Sequence, residues 1–492
     1  MTSANKRQKT ARKPLILNFF EHAGPAQMFP GIFAHPKDES STYKSRAYWI
    51  KLAKIAERGK INALFIGDTL SPYDVYQGPE SVTSTAIAGA QYPTNEPTSV
   101  VPLMAEVTEN LGFGLTISTL AEPPYHLARR LATLDHLSDG RIGWNVVTTF
   151  TNSAARNNLN GQDLPKSEDR YDRAHEYVDV IYELLLSSWR DDAVLNDKER
   201  RIFADPDAIR QVQFKGKYFN VPGYQFTEPS PQRLPVIIQA GASGSGQKFG
   251  ARIAELVFIN EETPEKLKEK IQAIRKIAKD EYGRDPEHLK FISLINVYVA
   301  KTSEEAKEKF KDITSYVSKD GVQVLFGGWT GVDLSKYDYD EDLRQVGKND
   351  PRSHLKTLLG APNKVTRRDL IEKISGIKSN TTFVGSVEEV ADQIEDLVDR
   401  SGIDGFNFAY NLWPGSFEDI VDLLIPELRR RGLAWDDYPV KGGTFRENIY
   451  GIKGQTFVPE DHGAYKYKWN AGITKEQFEK DLNESQTEHF KS

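Results

Sequence analysis

The chain contains no cysteine in 492 residues. That excludes disulfides, thiolate metal sites, iron–sulfur clusters and a cysteine nucleophile. Apolar residues never gather into the run of about 18 that a membrane-spanning helix needs, so no membrane contact is expected. Neither sign of charge dominates: 64 Lys and Arg stand against 70 Asp and Glu, a net of −6. Such a balance offers no electrostatic reason to bind nucleic acid. The N-terminal stretch MTSANKRQKTARK is polar and basic and lacks the apolar centre of a signal peptide. Residues 1–14 are expected to form a disordered tail, with a nuclear or transit address as the alternative, and the protein is expected in the cytoplasm.

Several catalytic signatures are also missing. There is no HExxH, and the nine histidines show no ligand spacing, so no metal is expected. No G-x-S-x-G elbow occurs. No G-x-G-x-x-G fingerprint joins a strand to a helix, so nothing marks a resident nicotinamide dinucleotide. Self-similarity at about 33 or 40 residues is absent, which disfavours a solenoid.

What the chain does contain is alternation. Strand-like runs recur at Leu15–Phe20, Ala63–Asp68, Gly112–Thr119, Arg141–Thr148, Pro235–Gly241, Ala254–Asn260, Phe291–Ala300 and Gly402–Tyr410. Helical patterns lie between them, for example from Thr42 to Gly59, Ser99 to Leu111 and Tyr171 to Trp189. After the last run, Ser416 and Asp419 are spaced as a capping box. Eight strands alternating with helices predict an α/β fold, a TIM-like (β/α)8 barrel, with a doubly wound open sheet as the rival. The expected limits are a single barrel over 15–435 and a C-terminal extension over 436–492 that packs on it. Insertions are expected at about 190–233, with a surface hairpin, and at 317–380, read as a long polar segment over the site.

Chemistry in such a barrel sits at the C-terminal strand ends. Those ends carry Phe20, Glu21, Asp68, Thr116, Ser118, Asn145, Asn260, Asn407 and Tyr410. Thr116 and Ser118 share a face by the period of two. The ring is polar but nearly uncharged, with no carboxylate pair for glycoside hydrolysis. A site so poor in acids, bases and nucleophiles borrows its chemistry from a cofactor. At the fifth strand end stands GASGSG, Gly241–Gly246, which opens a helix. Small residues and a helix start suit a phosphate, and they equally suit a tight turn. Tyr171, near another helix start, offers a hydroxyl to such an anion or packs as a half-buried structural tyrosine.

The segments LNFFEHAGP, LFIGDTLSPYDVY, GLTISTLAEPPYHLARRLATLDHLSDGRIGWNVVT, RYDRAHEYVDV, PVIIQAGASGSGQKFGARIAE and FVGSVEEVADQIEDLVDRSGIDGFNFAY together resemble the bacterial-luciferase-like flavin monooxygenases. The likeness is to the branch holding nitrilotriacetate monooxygenase component A, dibenzothiophene-sulfone monooxygenase and long-chain alkane monooxygenase. It implies a barrel that binds reduced FMN supplied by a separate NAD(P)H-dependent flavin reductase. Oxygen then adds to the flavin and is passed to a small organic substrate. It also implies a homodimer or homotetramer.

By position in these motifs, the resemblance places Phe20, Asp68, Thr116, Ser118 and Asn145 at the flavin ring. It places Tyr171, Ala242, Ser243 and Gly244 at the phosphate. Tyr73 and Gln91 correspond to polar pocket positions, and Phe65 and Phe258 to apolar ones; Trp413, apart from the resemblance, hints at an apolar or aromatic pocket. Asn145, Tyr73, Gln91 and His354 form the expected catalytic set; His354 is otherwise an exposed lid histidine. This chain departs from the pattern at Ser167, where the family usually has a histidine four residues before the phosphate tyrosine. It departs again at Thr149, where some members have histidine. A phosphate site of neutral donors predicts weak FMN retention. The function expected is an FMN-dependent monooxygenase. The alternatives are a flavin- or deazaflavin-dependent hydride-transfer enzyme and a flavin-binding barrel without turnover.

Overall fold

A computed structural model describes residues 13–241, 243–345, 364–376 and 380–489. Eight parallel strands form its centre: β1 (Ile16–His22), β2 (Ala63–Gly67), β3 (Gly112–Ser118), β4 (Ile142–Val147), β5 (Val236–Gln239), β6 (Leu256–Phe258), β7 (Lys290–Ala300) and β8 (Gly405–Ala409). Each pairs with its neighbours in the order β1 to β7, then β8, and β8 returns to β1. The sheet is therefore a closed barrel. A further strand, Thr382–Ser386, pairs with the far half of β7, Asn296–Ala300.

The strands are apolar on both faces because helices cover the outside and side chains fill the inside. Period-two alternation divides them. On β1, Leu17 and Phe19 join the layer between barrel and helices, while Ile16 and Phe20 point into the lumen. Ala63, Phe65, Val236, Ile238, Leu256 and Ile292 fill the lumen with them.

The N-terminal end of the barrel is plugged from the C-terminal extension. Phe445 lies so close under β3 and β4 that a Cβ on Gly112 would stand 2.4 Å from its ring, and one on Gly143 would stand 2.8 Å away. Only glycine admits the plug at those two positions. The next residue, Arg446, makes a fully buried ion pair with Glu255: Nε to Oε2 at 2.7 Å and Nη2 to Oε1 at 2.9 Å. Its remaining donors reach the carbonyls of Leu234 and Thr456.

Four local expectations are revised. The Ser99–Leu111 pattern yields only a five-residue helix, Val101–Ala105. Beyond it, Asn110 is drawn to Glu57, whose Oε1 accepts from both its backbone and side-chain nitrogens. Ser416 and Asp419 make no capping box. Ser416 Oγ instead accepts from the backbone N–H groups of Asn411 and Leu412, and Asp419 pairs with Lys309 at 2.6 Å. The 317–380 segment is not polar where it begins. The helix Lys319–Thr330 buries every residue from Gly321 to Gly328. The 190–233 insertion holds two antiparallel hairpins, including Val212–Lys215 with Asn220–Gly223 inside the stretch expected to form one.

Candidate active site

The C-terminal mouth of the barrel collects most of the expected residues. Thr116 and Asn145 are register partners on β3 and β4, and Asn145 Nδ2 donates to Thr116 Oγ1 at 2.9 Å. Asn145 Oδ1 is buried with no hydrogen-bond partner among the described residues. Because a hydroxyl both donates and accepts, Thr116 can hold the amide either way round, leaving an oxygen or an NH2 facing the lumen. One layer outward, Ser118 Oγ lies 2.6 Å from Thr149 Oγ1. A buried amide with an unmet atom is costly unless a ligand or water completes it. This is a fit for a flat polar cofactor lying across β3 and β4.

The glycine-rich segment builds the adjoining wall. Ser243 caps the ten-residue helix Gly244–Ile253, its Oγ accepting from Gly246 N at 3.1 Å. Tyr171, in the helix Ser167–Tyr182, brings its hydroxyl to this same turn. A Cβ on Gly246 would stand 2.8 Å from that oxygen, and one on Gly241 would stand 2.8 Å from the Gly246 Cα. Nothing lies within 4 Å of where a Gly244 Cβ would be. Two hydroxyls, an open face and a helix N-terminus converge, which fits a phosphate group. Ala242 falls outside the described residues. Ser167 is exposed at the first position of the Tyr171 helix, one turn before Tyr171.

Arg170, absent from the expected set, directly precedes Tyr171 in the same helix. It donates through Nη1 to the Thr149 carbonyl, and its Nε is buried without a partner. Desolvation lowers its pKa. The signal for Arg170 was its place directly before Tyr171, and nothing in the sequence showed it turning inward.

Across the mouth, β1 and β2 present a different surface. Phe20, Phe65 and Phe258 pack in the lumen, with centroids 5.7 Å apart for the first pair and 5.8 Å for the second. Asp68 follows β2, and burial pushes its carboxyl up to about 7, where a group can exchange a proton near neutrality. Tyr73 packs with Tyr76, Ala88 and Leu325 of the insertion helix, with Trp329 beside them. Gln91 is buried at positive φ, 51°, with Nε2 3.5 Å from Met28 Sδ and Oε1 without a partner. His22, at the end of β1, was also passed over; burial pushes its imidazole down to about 4, so it is neutral at physiological pH.

Of the expected residues that are described, Trp413 is not brought here. His354 lies outside the described residues. Trp413 packs in the layer outside the barrel wall, its ring stacked on Tyr48 at 4.0 Å with the Lys51 ammonium over it. Tyr48 itself turns away from the lumen, donating to the buried Glu21 carboxylate at 2.8 Å.

Known proteins share this chain's sequence and fold. The luciferase-like monooxygenase family model matches residues 28–405. The chain is 40% identical over 461 residues to dimethyl-sulfide monooxygenase of Hyphomicrobium sulfonivorans, covering 93% of this chain and 94% of that one. It is 40% identical over 456 residues to long-chain alkane monooxygenase of Geobacillus thermodenitrificans, covering 93% and 98%. The crystal structure of a riboflavin lyase with modified FMN superposes with a TM-score of 0.85 at 31% identity, covering 93% of this chain and 100% of the other. The chain belongs to the luciferase-like monooxygenase family, in the branch that the motifs resemble, and is a flavin-dependent monooxygenase.

Proposed function

We propose that this protein is the oxygenase component of a two-component system. It takes reduced FMN from a separate NAD(P)H-dependent flavin reductase and uses O2 to oxygenate a small organic substrate. The observation that carries this reading is the pairing of two features on adjoining walls. One is the Asn145–Thr116 amide with its unmet oxygen; the other is the Tyr171–Ser243–Gly246 cradle. Together they suit a flat polar ring joined to a phosphate. A relative named component A, from Aminobacter aminovorans, supports division of labour with a reductase.

Bound reduced FMN would supply the electrons that activate O2. The chain's own residues do the rest. Asn145 and Thr116 orient the ring, and Tyr171 and Ser243 hold the phosphate. Phe20, Phe65 and Phe258 offer an apolar surface that keeps water from the reacting atoms. Asp68, poised near neutrality, holds or releases a proton at its carboxyl oxygen.

The purified chain, given FMN and either NADH or NADPH, is expected to consume no reduced nicotinamide until a flavin reductase is added. Steady consumption by the chain alone would overturn the two-component reading.

The phosphate cradle gives a second test. Ser167→His places an imidazole one turn before Tyr171. A protonated imidazole adds a charge-assisted hydrogen bond to a phosphate, but the position is exposed and sits at a helix N-terminus, which disfavours a cation. The net gain in FMN affinity is expected to be about fivefold at pH 6 and smaller at pH 8, where the imidazole, of usual pKa about 6.5, is neutral. Equal affinity of parent and variant at both pH values would mean that residue 167 does not face the phosphate.

A further inference from the structure

His22 is an uneconomical residue for a barrel interior. It ends β1 on the lumen face, two residues beyond Phe20, and is 4% exposed. Its ring meets Phe20 edge-on at 6.0 Å. Its Nε2 stands 3.0 Å from where a Gly67 Cβ would be, so the missing side chain at the end of β2 is what gives the imidazole room. Nδ1 is buried with no hydrogen-bond partner among the described residues. A methionine or leucine would fill this volume without leaving a polar atom unmet, which costs about 1–3 kcal/mol. A second unmet acceptor, Gln91 Oε1, belongs to the same β1–β2 half of the mouth, through the contact of Gln91 with Met28. Thr116, Asn145 and the turn after β5, which suit the cofactor, lie on the other half, while Phe20 and Asp68, which the resemblance places at the flavin ring, border this one.

We propose that His22 is a substrate-binding residue whose imidazole hydrogen-bonds a heteroatom of an uncharged, otherwise apolar substrate. This rests on the oxygenase reading above, and it assigns the β1–β2 half of the mouth to substrate. The chemistry follows from the surroundings. Phe20, Phe65 and Phe258 supply the apolar wall, and a neutral imidazole supplies one donor and one acceptor. A neutral imidazole brings no counter-charge to an anionic substrate, and burial disfavours its gaining one. A pure hydrocarbon would leave it as unmet as it is in the empty protein.

The test uses a shape-matched pair of ligands, dipropyl sulfoxide, a strong hydrogen-bond acceptor, and 4-methylheptane. Equilibrium binding of each is measured to the protein loaded with oxidised FMN, in the parent, His22→Met and His22→Asn. In His22→Met the sulfoxide is expected to weaken about five- to tenfold, the worth of one neutral hydrogen bond, with the hydrocarbon unchanged or tighter. His22→Asn, which keeps a donor and an acceptor, is expected to retain most of the sulfoxide affinity. FMN affinity is expected to be the same in all three, and the ligand-free His22→Met protein is expected to unfold at no lower temperature than the parent. A merely structural histidine would lower that temperature and weaken both ligands alike. That result, or a parent that does not favour the sulfoxide relative to His22→Met, overturns the proposal. A fall in FMN affinity with unchanged ligand binding would reassign His22 to the cofactor and overturn it equally. If His22→Met does not fold, His22→Leu, which also lacks donor and acceptor, decides by the same ratio of ligands. No turnover is needed, so failure here is distinct from failure of the oxygenase reading.

Discussion

Arg446→Met is expected to lower stability by about 3–5 kcal/mol. The pair it breaks is fully buried on both sides and doubly hydrogen-bonded. Removing the guanidinium leaves Glu255 with one partner, the backbone N–H of Ile237, in a dry interior. It also strips donors from the Leu234 and Thr456 carbonyls. Burial alone would lower the arginine pKa, but the adjacent Glu255 carboxylate outweighs it and holds the pKa above its usual value. The pair fastens the C-terminal extension to β6 while the neighbouring Phe445 closes the barrel floor. Denaturant unfolding followed by fluorescence measures the loss. The double variant Arg446→Met with Glu255→Leu is expected to recover much of it, because an apolar pair of similar volume avoids the buried charge. A single variant that unfolds with the parent would mean the extension is not needed to hold the barrel shut.

Asn145→Ala is expected to reduce kcat/KM for oxygenation about 100-fold, in the range seen when one preorganised donor is removed from an active site. The side chain has one protein partner, Thr116, and one atom with none. Little of the fold depends on it, so the unfolding midpoint is expected to move by less than about 2 kcal/mol, the usual scale for one buried hydrogen bond and a small cavity. FMN binding is measured separately, by quenching of flavin fluorescence. Thr116→Val, which keeps the shape but frees the amide to rotate, is expected to show a smaller loss. If Asn145→Ala retains full kcat/KM, the β3–β4 wall does not face the reacting ring, and the cofactor placement fails with it.

The sequence carried the barrel because parallel strands covered on both faces read as short apolar runs between helical patterns. All eight were legible within a few residues at each end. Legible too was the rim, since a strand's last lumen-facing residue is found by counting in twos: Thr116, Ser118 and Asn145 stand where that count puts them. Long-range contacts were not. Arg446 and Glu255 are 191 residues apart, and no local pattern marks either as a buried ion. Trp413 looked like a pocket aromatic because it follows β8, yet the chain turns it outward onto Tyr48. The helix Lys319–Thr330 was hidden inside a segment read as polar from its average, though GVQVLFGG within it is apolar. His22 and Arg170 were missed for a common reason. Each directly precedes or follows a residue that drew the eye, and which way each side chain turns is decided by the packed neighbours rather than by spacing.

The central claim is oxygenation by reduced FMN and O2, and isotope labelling tests it most directly. The chain is supplied with chemically reduced FMN, isotopically heavy O2 and a panel of dialkyl sulfides, sulfones and alkanes. The product is expected to carry one heavy oxygen atom drawn from O2, and none when O2 is left out. A product that forms equally well without O2, or that carries no heavy oxygen, would contradict the account and point to hydride transfer on the same barrel.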